Sequence, residues 1–142
     1  MLYNKNDMDY SLSEILYQII ETRDILQIYH WNTRSYPRHK ASDELIQNLT
    51  SHMDKFVESY LGVNSDIHVT INKKITIKSY DDSQISSALI QLSEYLKHLT
   101  LKSRDKSFLR KPNAPKITTD LLNIRDEILE DIHNTLYLFL LQ

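Results

Sequence analysis

Apolar residues recur every third or fourth position over four long stretches of this chain, and little interrupts them. Only one Gly and three Pro stand among 142 residues. A period near 3.6 with so few breakers predicts helices, not a β-sandwich. The first stretch opens at Ser11, with Glu14 three residues on, the spacing of a capping box. Leu12, Leu16, Ile19, Leu26 and His30 follow at helical steps. The second restarts at Pro37, a favoured first-turn residue, and carries Leu45, Leu49, Met53, Phe56 and Tyr60 up to a stop at Gly62. The third follows Asp81-Asp82-Ser83 with Ile85, Leu89, Leu92, Leu96 and Leu99. The fourth follows Pro115 with Leu121, Ile128, Ile132, Leu136 and Phe139, and acids near its start suit the helix dipole. Helices over about 11–33, 37–61, 82–103 and 116–140 therefore form one all-α domain spanning 1–142, a four-helix bundle.

One region has another texture. Ile67, Val69 and Ile71 alternate with polar residues, as do Ile75 and Ile77, around Asn72-Lys73-Lys74. Period two with a turn in the middle predicts a small β-hairpin, or an extended insertion, between helices two and three. A lone hairpin is not stable in water, so it lies across the bundle or at a subunit contact.

Composition narrows the function classes. Net charge is −2, which gives no global pull toward nucleic acid or an anionic membrane. There is no Cys, so disulfides and thiolate metal sites are excluded. The first residues lack the basic and apolar regions of a signal peptide, and no apolar run reaches transmembrane length, Leu136–Leu141 included. The expected location is cytoplasmic or virion, not secreted, with no membrane partner.

The chemistry concentrates in His30, His39, Asp43, Asp54 and Glu58. His39 and Asp43 are one turn apart, as are Asp54 and Glu58. Eleven residues separate Asp43 from Asp54, close to three turns, so both pairs share one face of helix two. A short connection brings His30 back beside His39 and Asp43. Imidazole with carboxylate is a ligand set for iron, manganese or zinc. The two pairs stand about 16 Å apart along the helix, so one ion cannot touch both. A two-fold axis resolves this. If two copies of helix two pack antiparallel about Asn48 and Leu49, each copy's histidines meet the other's Asp54 and Glu58. A solvated acidic face is the plainer reading of the same stripe.

The motif is His-Trp, seven residues, His, three residues, Asp, ten residues, Asp, three residues, Glu. This resembles the ferroxidase signature of the Dps proteins, the miniature ferritins, with the first gap about three residues shorter. It covers roughly Leu26 to Gly62. The chain is also similar to short ferritin-like proteins of large DNA viruses. The resemblance implies a ferritin-like bundle and an iron centre between subunits. It implies Fe(II) oxidation by peroxide or dioxygen, and storage in a twelve-subunit shell. It would draw His30, His39 and Asp43 from one chain and Asp54 and Glu58 from its mate, with Trp31 beside the centre as an electron donor. Three features depart from the family. The N-terminal arm is not lysine-rich, so DNA coating has little electrostatic support. The insertion replaces a short helix near the two-fold contact, and no acidic three-fold pore is recognisable. The competing class is a non-catalytic four-helix assembly or virion protein that keeps the dimer and a structural metal.

Other motifs read as surface. Glu130 and His133 match E-x-x-H without a second copy on helix two. Glu94 and His98 suit an exposed ion pair. His52 and His68 have no partner at metal spacing and read as structural or exposed. Asn48-Leu49-Thr50 fits a glycosylation acceptor, but mid-helix. The basic loop from Lys102 to Pro115 holds only Phe108 to stack on bases.

Overall fold

The computed structural model describes residues 9–104 and 115–141, with 100–104 as backbone alone. Four helices account for most of it: α1 (Leu12–Asn32), α2 (Tyr36–Val63), α3 (Asp82–Arg104) and α4 (Thr119–Leu140). No strand forms among the described residues. The basic loop between α3 and α4 falls largely outside them.

The helix boundaries follow local chemistry. Ser11 caps α1, its hydroxyl accepting from the Glu14 amide at 3.2 Å. The return half of the capping box is not made. Asp9 Oδ1 takes the Ser11 amide at 2.8 Å, and Glu14 turns instead to Gln18 and Lys73. Ser35 caps α2, and Pro37 sits in its first turn where no amide is needed. Gly62 is not the stop. The helix runs through it to Val63, and Asn64 closes the end by donating both its backbone and side-chain amides to the Tyr60 carbonyl. α4 begins at Thr119, four residues after Pro115.

The helices pack around one core. α1 lies against α2 and α3, and α4 lies against the same two, so α1 and α4 are diagonal. Leu16, Ile19, Leu45, Leu49, Leu89 and Ile132 are among the buried residues that fill the centre. Each such side chain contributes about 1.5–3 kcal/mol of transfer free energy. At one end of the bundle α1 and α4 finish while α2 and α3 begin. Arg38 gathers all four helices there. It donates to Tyr29 Oη at 3.0 Å and to the Phe139 carbonyl at 3.2 Å, lies 4.6 Å from the Phe139 ring centroid, and stands 3.7 Å from Asp82. At the other end Tyr10 stacks on Tyr95, and each hydroxyl donates to a backbone carbonyl. Burial there pushes the phenols of Tyr10 and Tyr60 up, Tyr60 to about 12.

Every neighbouring pair is thus antiparallel. α2 and α3 run the same way, so residues 64–81 must cross the full length of the bundle between them. They do so as a strap over α1. The amide of Asn72 donates to Ser13 Oγ, that of Thr76 to Glu21, and the Asn32 side chain donates to Ser79. Lys73 reaches the buried Glu14 and lies over the Tyr17 ring. The expected hairpin is absent for this reason. Both apolar halves follow one continuous path along the helix, so neither folds back on the other.

Leu49 is wholly buried in the core, as its place in the apolar stripe of α2 predicts. The exposed residues flanking that height of α2 are Gln47 and Thr50.

Candidate metal centre

His30 ends the buried stripe of α1, and His39 lies in the opening turn of α2. The link between the helices is only residues 33–35, so the chain folds back sharply and the two rings stack. Their centroids are 3.9 Å apart and their planes 19° apart. The hydrogen bonds are reciprocal. His39 Nδ1 stands 3.0 Å from the His30 carbonyl, and His30 Nδ1 stands 2.9 Å from the His39 carbonyl. A carbonyl oxygen only accepts, so both Nδ1 atoms must carry hydrogen. Ser42 Oγ is a further neighbour of His30 Nδ1, at 3.1 Å. Its own hydrogen goes to the His39 carbonyl, so it too accepts from the ring.

The consequence concerns the far nitrogens. With Nδ1 protonated, the neutral ring leaves a lone pair on Nε2. Neither Nε2 has a hydrogen-bond partner among the described residues, and neither is among the buried unpartnered atoms. Two imidazoles are therefore held by backbone acceptors with their ligating atoms uncommitted. This is how outer partners commonly prepare histidine for a metal.

The carboxylates are arranged differently. Asp43 is half-buried and accepts from Gln47 at 3.2 Å. Asp54 and Glu58 are exposed, further down the outward side of α2. The stripe therefore does point away from the core. The fold brings His30 and His39 together, with Asp43 one turn on, and leaves Asp54 and Glu58 about three turns away. Among the described residues of one chain, no group of three or more His, Asp or Glu side chains is arranged to hold a metal ion. Trp31 is 65 % exposed at the end of α1.

A second cluster has the same residue types. His52 of α2 faces α4, with Nδ1 3.1 Å from Glu127 and Nε2 2.9 Å from Asp131. Lys55 stands 3.7 Å from the same Glu127 oxygen. His52 Nδ1 and Asp131 Oδ2 are sealed from solvent, and their contacts lack good hydrogen-bond alignment. Burial raises the Asp131 carboxyl above its usual range, and His52 opposes the rise. The spacing of Glu127 and Asp131, one turn apart, was visible in the sequence. Their opposition to His52 depends on how α2 and α4 slide against each other, and no local pattern encodes that.

The remaining motifs lie at or near the surface. Glu130 and His133 are exposed. Glu94 pairs with Lys97 at 3.0 Å, and His98 instead faces the Glu94 carbonyl. His68 is exposed on the strap. No helix of the described residues is long and apolar enough to cross a membrane.

No curated protein and no solved structure matches the chain. A family model does match, over residues 30–139, which includes every candidate ligand. The chain belongs to that family, DUF5856, a family of unknown function.

Proposed function

We propose that this chain is a Dps-like ferroxidase, which binds and oxidises Fe(II) at a site shared between two copies and sequesters the product. The observation that carries the reading is the reciprocal anchoring of His30 and His39. It leaves two uncommitted nitrogens at one end of an outward stripe, and Asp54 and Glu58 at the other. Two copies of α2 packed antiparallel join the two ends, twice per dimer. The helix order adds support. Antiparallel neighbours with one long crossover, here between α2 and α3, are the arrangement of ferritin-like bundles.

The roles divide by chemistry. Imidazole is a borderline ligand that suits Fe(II) without thiolate. The carboxylates offset cation charge and favour Fe(III) over Fe(II). Two Fe(II) ions give one electron each to a peroxide, whose O–O bond breaks to leave two waters once two protons are added. Trp31 sits next to His30 in the chain and is exposed, in place to give up an electron if only one iron is present. Zinc or manganese would compete for the same donors.

The test is direct. Purified protein given Fe(II) and peroxide should develop ferric absorbance well ahead of buffer, and the Asp54→Ala, Glu58→Ala double variant should not. Equal, slow oxidation by both would end the ferroxidase reading. Sedimentation addresses assembly. Twelve chains support a storage shell, whereas two leave the shared centre with a non-catalytic structural role as the competing account.

A further inference from the structure

The strap over α1 has one used edge and one open edge. The amides of Asn72 and Thr76 both turn toward α1, four residues apart. Their partners, Ser13 and Glu21, are eight residues apart on the helix, or about 12 Å. Four strap residues span that distance, roughly 3 Å each, so the segment is extended. In extended chain, alternate amides face opposite ways. Those of Ile75 and Ile77 therefore face away from α1, and among the described residues neither has an acceptor. Ile77 is 54 % exposed. A β-branched run with an open row of backbone groups is a template for another strand.

The sequence here reads the same in both directions: Lys74-Ile75-Thr76-Ile77-Lys78. Antiparallel pairing of this segment with itself places Thr76 opposite Thr76 and Ile75 opposite Ile77. The hydrogen-bond parity agrees. Thr76 spends its amide on α1 and would form the non-hydrogen-bonded central pair, while Ile75 and Ile77 offer theirs outward.

Height agrees independently. His30 and His39 mark one level of α1 and α2. Nine residues back along α1 is Glu21, and nine residues on along α2 is Asn48. Because the helices are antiparallel, these two stand level. Glu21 holds Thr76, and Asn48 lies at the midpoint of the stripe His39–Glu58. A two-fold axis perpendicular to the helices at that height is level with both.

We infer that residues 74–78 pair with the same segment of a second copy, as antiparallel strands centred on Thr76, on the two-fold axis that the shared iron site requires. The inference rests on that reading for its axis and adds a second contact to it. The occupant is a second copy because the segment is its own complement. One cost is explicit: Lys74 faces the other copy's Lys78, and like charges placed opposite repel.

The chain has no cysteine, so single introduced thiols report cleanly. Opposed residues in a non-hydrogen-bonded antiparallel pair have Cα atoms about 4.5 Å apart, within disulfide range. Under mild oxidation, Thr76→Cys should form covalent dimer about tenfold faster than Ser65→Cys, an exposed strap position off the axis. Lys78→Glu should dimerise more tightly than wild type at low salt, and the gap should close as salt rises. A Gln47→Cys, Thr50→Cys variant reports separately on the α2 contact. If that variant cross-links and Thr76→Cys is no faster than Ser65→Cys, strap pairing is overturned and the iron-site reading stands. If Thr76→Cys alone cross-links, the strap pairs and the shared iron site fails. A chain that stays monomeric with and without Fe(II) overturns both.

Discussion

His30 with His39, and His52 with Glu127 and Asp131, are both built around imidazole and end in opposite states. In the first cluster each ring spends Nδ1 on a backbone carbonyl and keeps Nε2 uncommitted. In the second, both nitrogens of one ring face carboxylates of the neighbouring helix at close range. Ligand availability is therefore set by what holds the other nitrogen, not by residue type. Carbonyls take one nitrogen of each ring and leave the other open. Carboxylates on both sides of the His52 ring enclose it and leave a contact between α2 and α4.

The sharpest way to break this contrast is to remove the open rings. A His30→Ala, His39→Ala variant should lose about 100-fold or more in zinc or Fe(II) affinity by titration. Unchanged affinity would mean that the stacked pair is not the site. A smaller change probes the anchoring alone. Ser42→Ala takes one acceptor from His30 and should weaken metal affinity by about tenfold, with the His30 and His39 side chains intact.

The His52 contact should respond in the other currency. His52→Ala removes the ring that faces Asp131, and the largely buried carboxyl left without it should cost about 1–3 kcal/mol of stability in urea unfolding. Its metal affinity should match wild type. A loss of metal binding with intact stability would reverse the assignment of the two clusters.

The smallest effect is a pH slope. Burial raises the folded pKa of Asp131 above its unfolded value. The folded state therefore holds that proton more firmly. Its stabilising share is present below the unfolded value and lost as pH rises through the folded one. Asp131→Asn should flatten that part of the stability profile in the acid range, read as denaturation midpoints against pH. A slope that survives unchanged must come from other carboxylates.

Much of this was legible in residue order, for local reasons. Leu45, Leu49, Phe56 and Tyr60 repeat with the helix, so the buried side of α2 and the outward stripe opposite it follow from period alone. Ser11 acts as a cap because its hydroxyl reaches an amide a few residues away, whereas Ser35, the cap of α2, was passed over in favour of Pro37 as the start signal. Gly62 misled, because a glycine ends a helix only where the chain must turn there, and Asn64 supplied the closing bonds two residues later. The Ile67–Ile77 alternation predicted a hairpin or extended insertion; no strand forms there among the described residues, and the stretch from Asn72 to Thr76 runs extended along α1. The alternation did not signal where the chain would go, since a hairpin and a strap share the same period.

Residue order by itself determined four amphipathic helices, the absence of thiol chemistry, and a histidine-and-acid stripe on one side of α2, because each depends on neighbours within a turn or two. Tertiary structure decided which nitrogens stay uncommitted, which acids His52 meets, and that residues 64–81 cross the bundle beside α1. Those outcomes depend on the offset between packed helices, a quantity that no stretch of consecutive residues records.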